Sequence, residues 1–190
     1  MTDQLSNNSQ LLNAKQILDR AGIAEKMIVA DLGCGTNGHF CFPAARLVGE
    51  KGLVYAVDVR KTALENIKSR SKLEGINCLK IVWSDLEIYG STNIRSDFVD
   101  LSLLINILFQ SQKPFNILKE AFRITKTGGK FVIIDWKKTH TPFGPSLDLR
   151  IDKNDIQAMF FRLGAEQIDN FDAGKYHFGM IFEKQNNNLP

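Results

Sequence analysis

The chain contains the stretch Ile28-Val29-Ala30-Asp31-Leu32-Gly33-Cys34-Gly35-Thr36-Asn37-Gly38, and a helical pattern follows it from Phe40. This order indicates a buried strand, a glycine-rich turn and a helix. Glycines at 33, 35 and 38 have no Cβ, so the turn can be tight and a ligand can approach the backbone closely. The N-terminus of the following helix offers unpaired N–H groups to such a ligand. The stretch therefore predicts a binding turn at the start of an α/β fold.

Short apolar runs alternate with helical patterns along the rest of the chain. The predicted strands are residues 27–32, 53–59, 78–83, 98–105 and 131–136. The predicted helices are residues 11–21, 40–48, 61–73, 114–124 and 153–163, and residues 86–96 are predicted to form a loop. Strands that alternate with helices are typical of a parallel sheet covered by helices.

The C-terminal part of the sequence breaks this alternation. Residues 168–171 are followed by the turn-like Asp172-Ala173-Gly174-Lys175, and apolar side chains then recur at every second position from Tyr176 to Phe182. This pattern predicts an antiparallel hairpin. A parallel sheet that ends in an antiparallel hairpin is less common than a purely parallel sheet, so the hairpin is informative about the family.

Length and composition limit the class of protein. With 190 residues the chain holds one domain at roughly 150 residues per domain, and we expect it to span residues 11–184 between flexible ends, 1–10 and 185–190. Hydrophobic residues make up 44% and charged residues 24%, which excludes a disordered chain. Lys and Arg number 24 and Asp and Glu 21, and the net charge of +3 does not indicate a nucleic-acid partner.

Location and metal binding are also addressed by the sequence. The longest nearly uncharged apolar stretch, residues 101–109, is far shorter than the roughly 20 residues that span a bilayer, and the N-terminus lacks a signal pattern, so we expect a cytoplasmic protein without a membrane span. The cysteines and histidines are scattered, with no CxxC pair, and predict neither a disulfide framework nor a metal site. They are Cys34, Cys41, Cys78, His39, His140 and His177.

Three acidic residues lie at or just beyond the ends of predicted strands. Asp58 lies 20 residues after Gly38, where a carboxylate accepts both hydroxyls of a ribose, although a strand-end cap is the alternative. Such a pattern fits a nicotinamide dinucleotide as well as S-adenosylmethionine. Asp31 favours the second, because it would repel a pyrophosphate and attract an ammonium group. Asp85 would accept a hydrogen bond from an adenine amine at the same edge of the sheet.

These motifs together resemble the class I S-adenosylmethionine-dependent methyltransferases, in particular the small-molecule group that includes the quinone-biosynthesis C-methyltransferases. The matching segments are residues 29–36, 57–58, 84–86 and 124–131. The resemblance implies a Rossmann-like, doubly wound α/β fold with helices on both faces. Its seven strands would have the order 3-2-1-4-5-7-6, with strand seven antiparallel.

The resemblance also implies a set of cofactor-binding residues. They are Asp31, Gly33, Cys34, Gly35, Asp58, Val59, Asp85, Leu86 and Asn106. By this resemblance the glycine turn passes under S-adenosylmethionine, Asp31 contacts its methionine end and Asp58 its ribose. Asp85 and the Leu86 backbone would hold the adenine, and Asn106 would lie beside the methyl group. The product would be S-adenosylhomocysteine.

The methyl acceptor is not identified by the sequence, and a small molecule is expected. Candidate substrate residues are His39, Phe109 and Trp136. His39 is a candidate general base or a polar residue at a helix start, Phe109 is alternatively sheet core, and the loop after Trp136 is alternatively a solvated charged loop. A protein that binds S-adenosylmethionine without turnover and a nicotinamide-dependent oxidoreductase stay as alternatives. Arsenite would require converging thiolates, and no pattern places Cys41 or Cys78 beside Cys34. The oligomeric state is left open.

Overall fold

Five parallel strands form the centre of the fold in the computed structural model, which describes residues 12–186. They are β1 (Ile28–Leu32), β2 (Leu53–Asp58), β3 (Leu79–Trp83), β4 (Val99–Ile105) and β5 (Thr125–Trp136). Strands β1, β2 and β4 are almost wholly buried, which explains their continuous runs of apolar residues.

The last two strands form the predicted hairpin. Strand β6 (Ala165–Asp172) pairs antiparallel with β7 (His177–Lys184), and β7 in turn pairs antiparallel with β5. The sheet order is β3-β2-β1-β4-β5-β7-β6. The predicted strand order and the antiparallel seventh strand are therefore confirmed.

Helices cover both faces of the sheet. They are α1 (Ala14–Ala21), α2 (Cys41–Val48), α3 (Lys61–Leu73), α4 (Pro114–Ile124) and α5 (Lys153–Leu163). Side chains of α1, α2 and α3 share one apolar cluster, and those of α4 and α5 share the other. Within residues 12–186, no helix has both the length and the apolar character needed to cross a bilayer.

The structure extends the predicted strand 131–136 and shortens the predicted helix 11–21. Strand β5 begins at Thr125 rather than at residue 131, because a register shift against β4 lets the chain pair on both sides of Gly128, whose φ is +73°. Helix α1 begins at Ala14, since the Asn13 side chain caps it by accepting from the Gln16 N–H. The predicted flexible segment 1–10 and most of the predicted tail lie outside the described residues.

Candidate functional site

The glycine turn after β1 is shaped by two backbone contacts and by packing. The N–H groups of Gly33 and Cys34 both donate to the Val57 carbonyl, at 2.8 and 3.0 Å, which ties the turn to β2. Gly33 has a φ of +83°, and a Cβ there would lie 2.4 Å from Ile107 Cδ1. Gly35 has a φ of +67°, but a Cβ there would meet no atom within 4 Å. The turn therefore packs tightly at Gly33 and is open at Gly35.

Two cavities lie at the carboxyl edge of the sheet, beside this turn. The β2–β3 cavity of about 400 Å³ is lined by Asp58, Val59, Asp85 and Leu86 among others. The β1–β4 cavity of about 260 Å³ includes Asp31 and Asn106 in its lining. Both cavities are also lined by Gly33, Arg60 and Gln110, so they lie side by side, and together they are called the cleft.

Asp58 is buried at the end of β2, and its carboxylate accepts hydrogen bonds from the turn and from Arg60. Oδ2 accepts from the Gly35 N–H at 3.0 Å and from Arg60 Nη2 at 3.3 Å. Oδ1 accepts from the Arg60 N–H at 2.9 Å and from Arg60 Nε at 3.2 Å. These contacts hold the carboxylate against the glycine turn.

Asp31 is buried at the end of β1, where the Cys41 thiol donates to its Oδ2 at 3.0 Å. Burial raises the pKa of Asp31 to about 6, and the hydrogen bond from Cys41 offsets only part of that effect. Nearby, Asn106 has a φ of +53°, and its buried Oδ1 has no hydrogen-bond partner among residues 12–186. This part of the cleft therefore presents two oxygen atoms suited to an ammonium donor.

The loop that contributes Leu86 and Glu87 to the β2–β3 cavity is held in place by a carboxylate of α4. Glu120 of α4 is fully buried and accepts from the Gly90 N–H at 2.7 Å and from Thr92 Oγ1 at 2.6 Å. Arg123 donates to the same carboxylate from Nε and Nη2. Burial alone would raise the pKa of Glu120, but these contacts lower it to about 2. The predicted loop 86–96 is thus a loop braced by an ionised side chain.

All nine predicted cofactor-binding residues line the cleft. His39 also lines the β1–β4 cavity, and its Nε2 lies 2.8 Å from the Leu12 carbonyl oxygen. Phe109 lines neither cavity, and its N–H donates to Asp135. The structure thus brings His39 to the cleft and leaves Phe109 outside it.

Trp136 is also placed away from the cleft. Its side chain is buried beneath the loop that follows β5, with the ring against Gly144 and the Phe143 ring edge-on at 6.1 Å. Arg150 holds this loop by donating to the carbonyl groups of Lys137 and Pro145. The predicted substrate contact of Trp136 is therefore not supported, because the loop folds over the ring instead of leaving it open.

Two residues that line both cavities were not predicted from the sequence. Arg60 and Gln110 each line both cavities, and Gln110 Nε2 donates to the Asn106 carbonyl at 2.6 Å. Arg60 follows Asp58 by two residues, and this proximity is a signal that could have found it. Gln110 lies in the 3-10 turn Leu108–Gln110, and no spacing in the sequence points to it.

The structure brings two cysteines together whose proximity the sequence did not predict. Cys41 lies near Cys34, whose thiol and the burial of the site together raise the pKa of Cys41 well above its usual range. Cys78 lies elsewhere and donates to the Ala45 carbonyl at 3.4 Å. Across residues 12–186, no three His, Cys, Asp or Glu side chains come together as a metal-binding group.

A family model described as a methyltransferase domain matches residues 23–170. The chain belongs to this methyltransferase domain family. The resemblance to class I S-adenosylmethionine-dependent methyltransferases is thereby confirmed. The matched segment contains the glycine turn and all three strand-end acids of this methyltransferase domain.

Relatives of the methyltransferase domain include enzymes named for different substrates. This chain is 29% identical over 150 residues to the ubiquinone/menaquinone biosynthesis C-methyltransferase UbiE of Laribacter hongkongensis. The alignment covers 78% of this chain and 59% of the relative. The chain is 29% identical over 121 residues to the arsenite methyltransferase of Mus musculus, covering 58% of this chain and 31% of the relative. The chain thus spans a little over half the length of the UbiE proteins it matches.

The fold of the methyltransferase domain also matches solved structures. A SAM dependent methyltransferase from Aquifex aeolicus superposes with a TM-score of 0.82 at 24% identity, covering 91% of this chain and 90% of that chain. This likeness supports the architecture of sheet and helices described above.

Proposed function

We propose that this methyltransferase domain binds S-adenosylmethionine in the cleft and transfers its methyl group to a small molecule. The observation that carries the proposal is the row of carboxylates at the ends of β1, β2 and β3, all lining one cleft beside the glycine turn. They are Asp31, Asp58 and Asp85.

The polar groups of the cleft fit this cofactor. Its ammonium group would pair with Asp31 and with Oδ1 of Asn106, which has no hydrogen-bond partner among residues 12–186. Its ribose hydroxyls would donate to Asp58, and its adenine amine to Asp85. Open space over Gly35 leaves room for a ligand against the turn. When bound, the cofactor supplies a methyl group on a positively charged sulfur atom.

The protein's own contribution is mainly orientation. Well-oriented intramolecular reactions gain roughly 7–11 kcal/mol in the best cases, so correct placement of donor and acceptor can supply much of the rate enhancement. Among the cleft residues, His39 is the proposed proton acceptor for an acidic acceptor molecule. With Nε2–H donating to the Leu12 carbonyl, Nδ1 is the basic nitrogen of its ring.

The acceptor is proposed to be a small molecule because the relatives are named for quinone-pathway and arsenite substrates. The substrate residue proposed here is His39, since it lines the β1–β4 cavity. The predicted domain, residues 11–184, is proposed to fold as one unit, because within the described residues α1 is tied to β6 by the Arg20–Asp169 ion pair at 2.6 Å.

The test is methyl transfer with S-adenosylmethionine labelled in the methyl group. The purified chain is incubated with quinols that carry an unsubstituted ring carbon, with trivalent arsenicals or with phenols, and labelled product and S-adenosylhomocysteine are quantified together. We expect one class of acceptor to yield labelled product and S-adenosylhomocysteine in equal amounts. If the chain bound S-adenosylmethionine but transferred its methyl group to no class of acceptor, the result would favour a binding protein over an enzyme. If it did not bind S-adenosylmethionine, the proposal as a whole would be overturned.

A further inference from the structure

The carboxylate of Asp58 has no free hydrogen-bonding position in the structure. A carboxylate offers about four lone-pair positions. Four donors fill them: the Gly35 N–H and the N–H, Nε and Nη2 groups of Arg60. Two of these four come from the Arg60 guanidinium rather than from the backbone. Any ribose that binds to Asp58 must therefore displace the side chain of Arg60.

Arg60 is placed where such a displacement is possible. Its side chain is 59% exposed, and among residues 12–186 Asp58 is the one side chain with which it forms hydrogen bonds. It lies at the junction of the two cavities and lines both. The guanidinium can thus leave Asp58 by rotating toward solvent without breaking a hydrogen bond to another side chain among residues 12–186.

The charges of the cleft make this arginine distinctive. Within the described part of the chain, the cavity linings hold four carboxylates and a single Lys or Arg side chain, that of Arg60. The carboxylates belong to Asp31, Asp58, Asp85 and Glu87. This guanidinium is paired with the one carboxylate that would accept hydrogen bonds from ribose hydroxyls.

We propose that Arg60 sets the affinity of the cleft for its cofactor by competing with the ribose hydroxyls for Asp58. This inference rests on the proposed function, because it assumes that Asp58 is the ribose partner. Arg60 is then a residue that determines specificity: it weakens every ligand whose binding depends on a ribose diol and leaves other ligands unaffected.

The size of the effect follows from the exposure of the ion pair. Half-exposed ion pairs contribute up to about 1 kcal/mol, so removing the competition should tighten ribose binding about threefold to fivefold.

The experiment is calorimetric titration of the wild type, Arg60→Ala and Lys61→Ala. Lys61→Ala removes the same charge from the next residue, whose Nζ lies 5.0 Å from the centroid of the Trp83 ring. The ligands are S-adenosylhomocysteine, adenosine and 2′,3′-dideoxyadenosine. Circular dichroism confirms that each variant is folded. If Arg60→Ala is not folded, Arg60→Lys is titrated in its place, because Lys keeps the charge but loses the paired donors.

We expect Arg60→Ala to bind S-adenosylhomocysteine and adenosine about threefold to fivefold more tightly, with dideoxyadenosine and the Lys61→Ala variant unchanged. Equal or weaker binding of adenosine by Arg60→Ala would overturn the inference, as would the same gain for dideoxyadenosine. If the wild type does not bind S-adenosylhomocysteine, the proposed function itself fails. The two failures are therefore distinguishable.

Discussion

Asp31 is the carboxyl group of the cleft whose charge depends most on pH near neutrality. Its pKa of about 6 means that it is largely protonated at pH 5 and ionised at pH 7. A ligand ammonium pairs only with the ionised form, so the affinity for S-adenosylhomocysteine should rise about tenfold between these pH values. Calorimetry across this range checks the prediction. The Asp31→Asn variant should bind S-adenosylhomocysteine weakly, with an affinity that depends little on pH. If its affinity changed with pH as steeply as that of the wild type, Asp31 would be excluded as the source of the pH dependence.

The same carboxyl group affects stability in the opposite direction. The unfolded chain loses the Asp31 proton near pH 4 and the folded chain near pH 6, so this group's contribution to the free energy of unfolding falls as the pH rises between them. Urea denaturation of wild type and Asp31→Asn at pH 4 and pH 7 measures it. The variant should gain stability relative to the wild type at pH 7, and a relative loss there would contradict the burial argument.

The two glycines of the turn should respond differently to a methyl group. Gly33→Ala places a Cβ against Ile107 at a φ of +83°, whereas Gly35→Ala meets only the φ strain of +67°. The strain costs each variant roughly 1–2 kcal/mol of unfolding free energy, and the contact adds to it at Gly33. Urea denaturation measures both. Ile107→Ala should relieve the extra loss in Gly33→Ala, and additive losses in the double variant would contradict the contact.

At the scale of elements, Glu120 of α4 holds the loop that forms one wall of the cleft. Glu120→Gln should lower the unfolding free energy by about 3 kcal/mol at pH 7, because Arg123, whose side chain is only 13% exposed, loses its charged partner. The folded pKa of about 2 lies below the unfolded value, so the stability from this carboxylate is present above about pH 4.5 and is lost as the pH falls toward 2. Urea denaturation at several pH values measures the difference in unfolding free energy between Glu120→Gln and the wild type.

A matched control separates this effect from a general change in charge. Glu65 is exposed on α3, and Glu65→Gln should change stability by less than about 0.5 kcal/mol at any of these pH values. A Glu120→Gln variant as stable as this control at pH 7 would mean that the carboxylate does not brace the loop.

At the scale of the whole molecule, the sheet should unfold as one unit. Trp83 lies on the edge strand β3 and Trp136 on β5, so they report on separate parts of the sheet. Trp83→Phe and Trp136→Phe each leave one tryptophan, and their fluorescence transitions in urea should each coincide with that of the far-UV circular dichroism. In either variant, a fluorescence midpoint that differs from that of its circular dichroism would contradict the single domain.

Much of this architecture is predictable because it depends on patterns along the chain. Asp31, Asp58 and Asp85 are predictable since each lies at or just beyond the end of a predicted apolar strand, and parallel strands bring their carboxyl ends to one edge. Arg60 and Glu120 could not be found in this way. Their roles depend on which way a long side chain turns after the fold has formed, and a charged residue in a helix is ordinarily exposed.

Trp136 is a residue whose position at the end of a predicted strand did not reveal its surroundings. It lies at the correct edge of the sheet, like the three acids, yet the loop after it folds back over the ring. That loop is held by hydrogen bonds from Arg150 to backbone carbonyl groups, and these leave no periodic signal in the sequence. Strand ends are therefore predictable here, while the loops that cover them are not.

Calorimetric titration with S-adenosylhomocysteine, beside NAD and the Asp58→Ala variant, tests most directly whether the cleft is a site for S-adenosylmethionine. We predict micromolar binding of S-adenosylhomocysteine by the wild type, loss of that binding in Asp58→Ala, and no heat from NAD. Binding of NAD alone, or no binding of either ligand by the folded wild type, would contradict the assignment of the three strand-end acids and with it the proposed function.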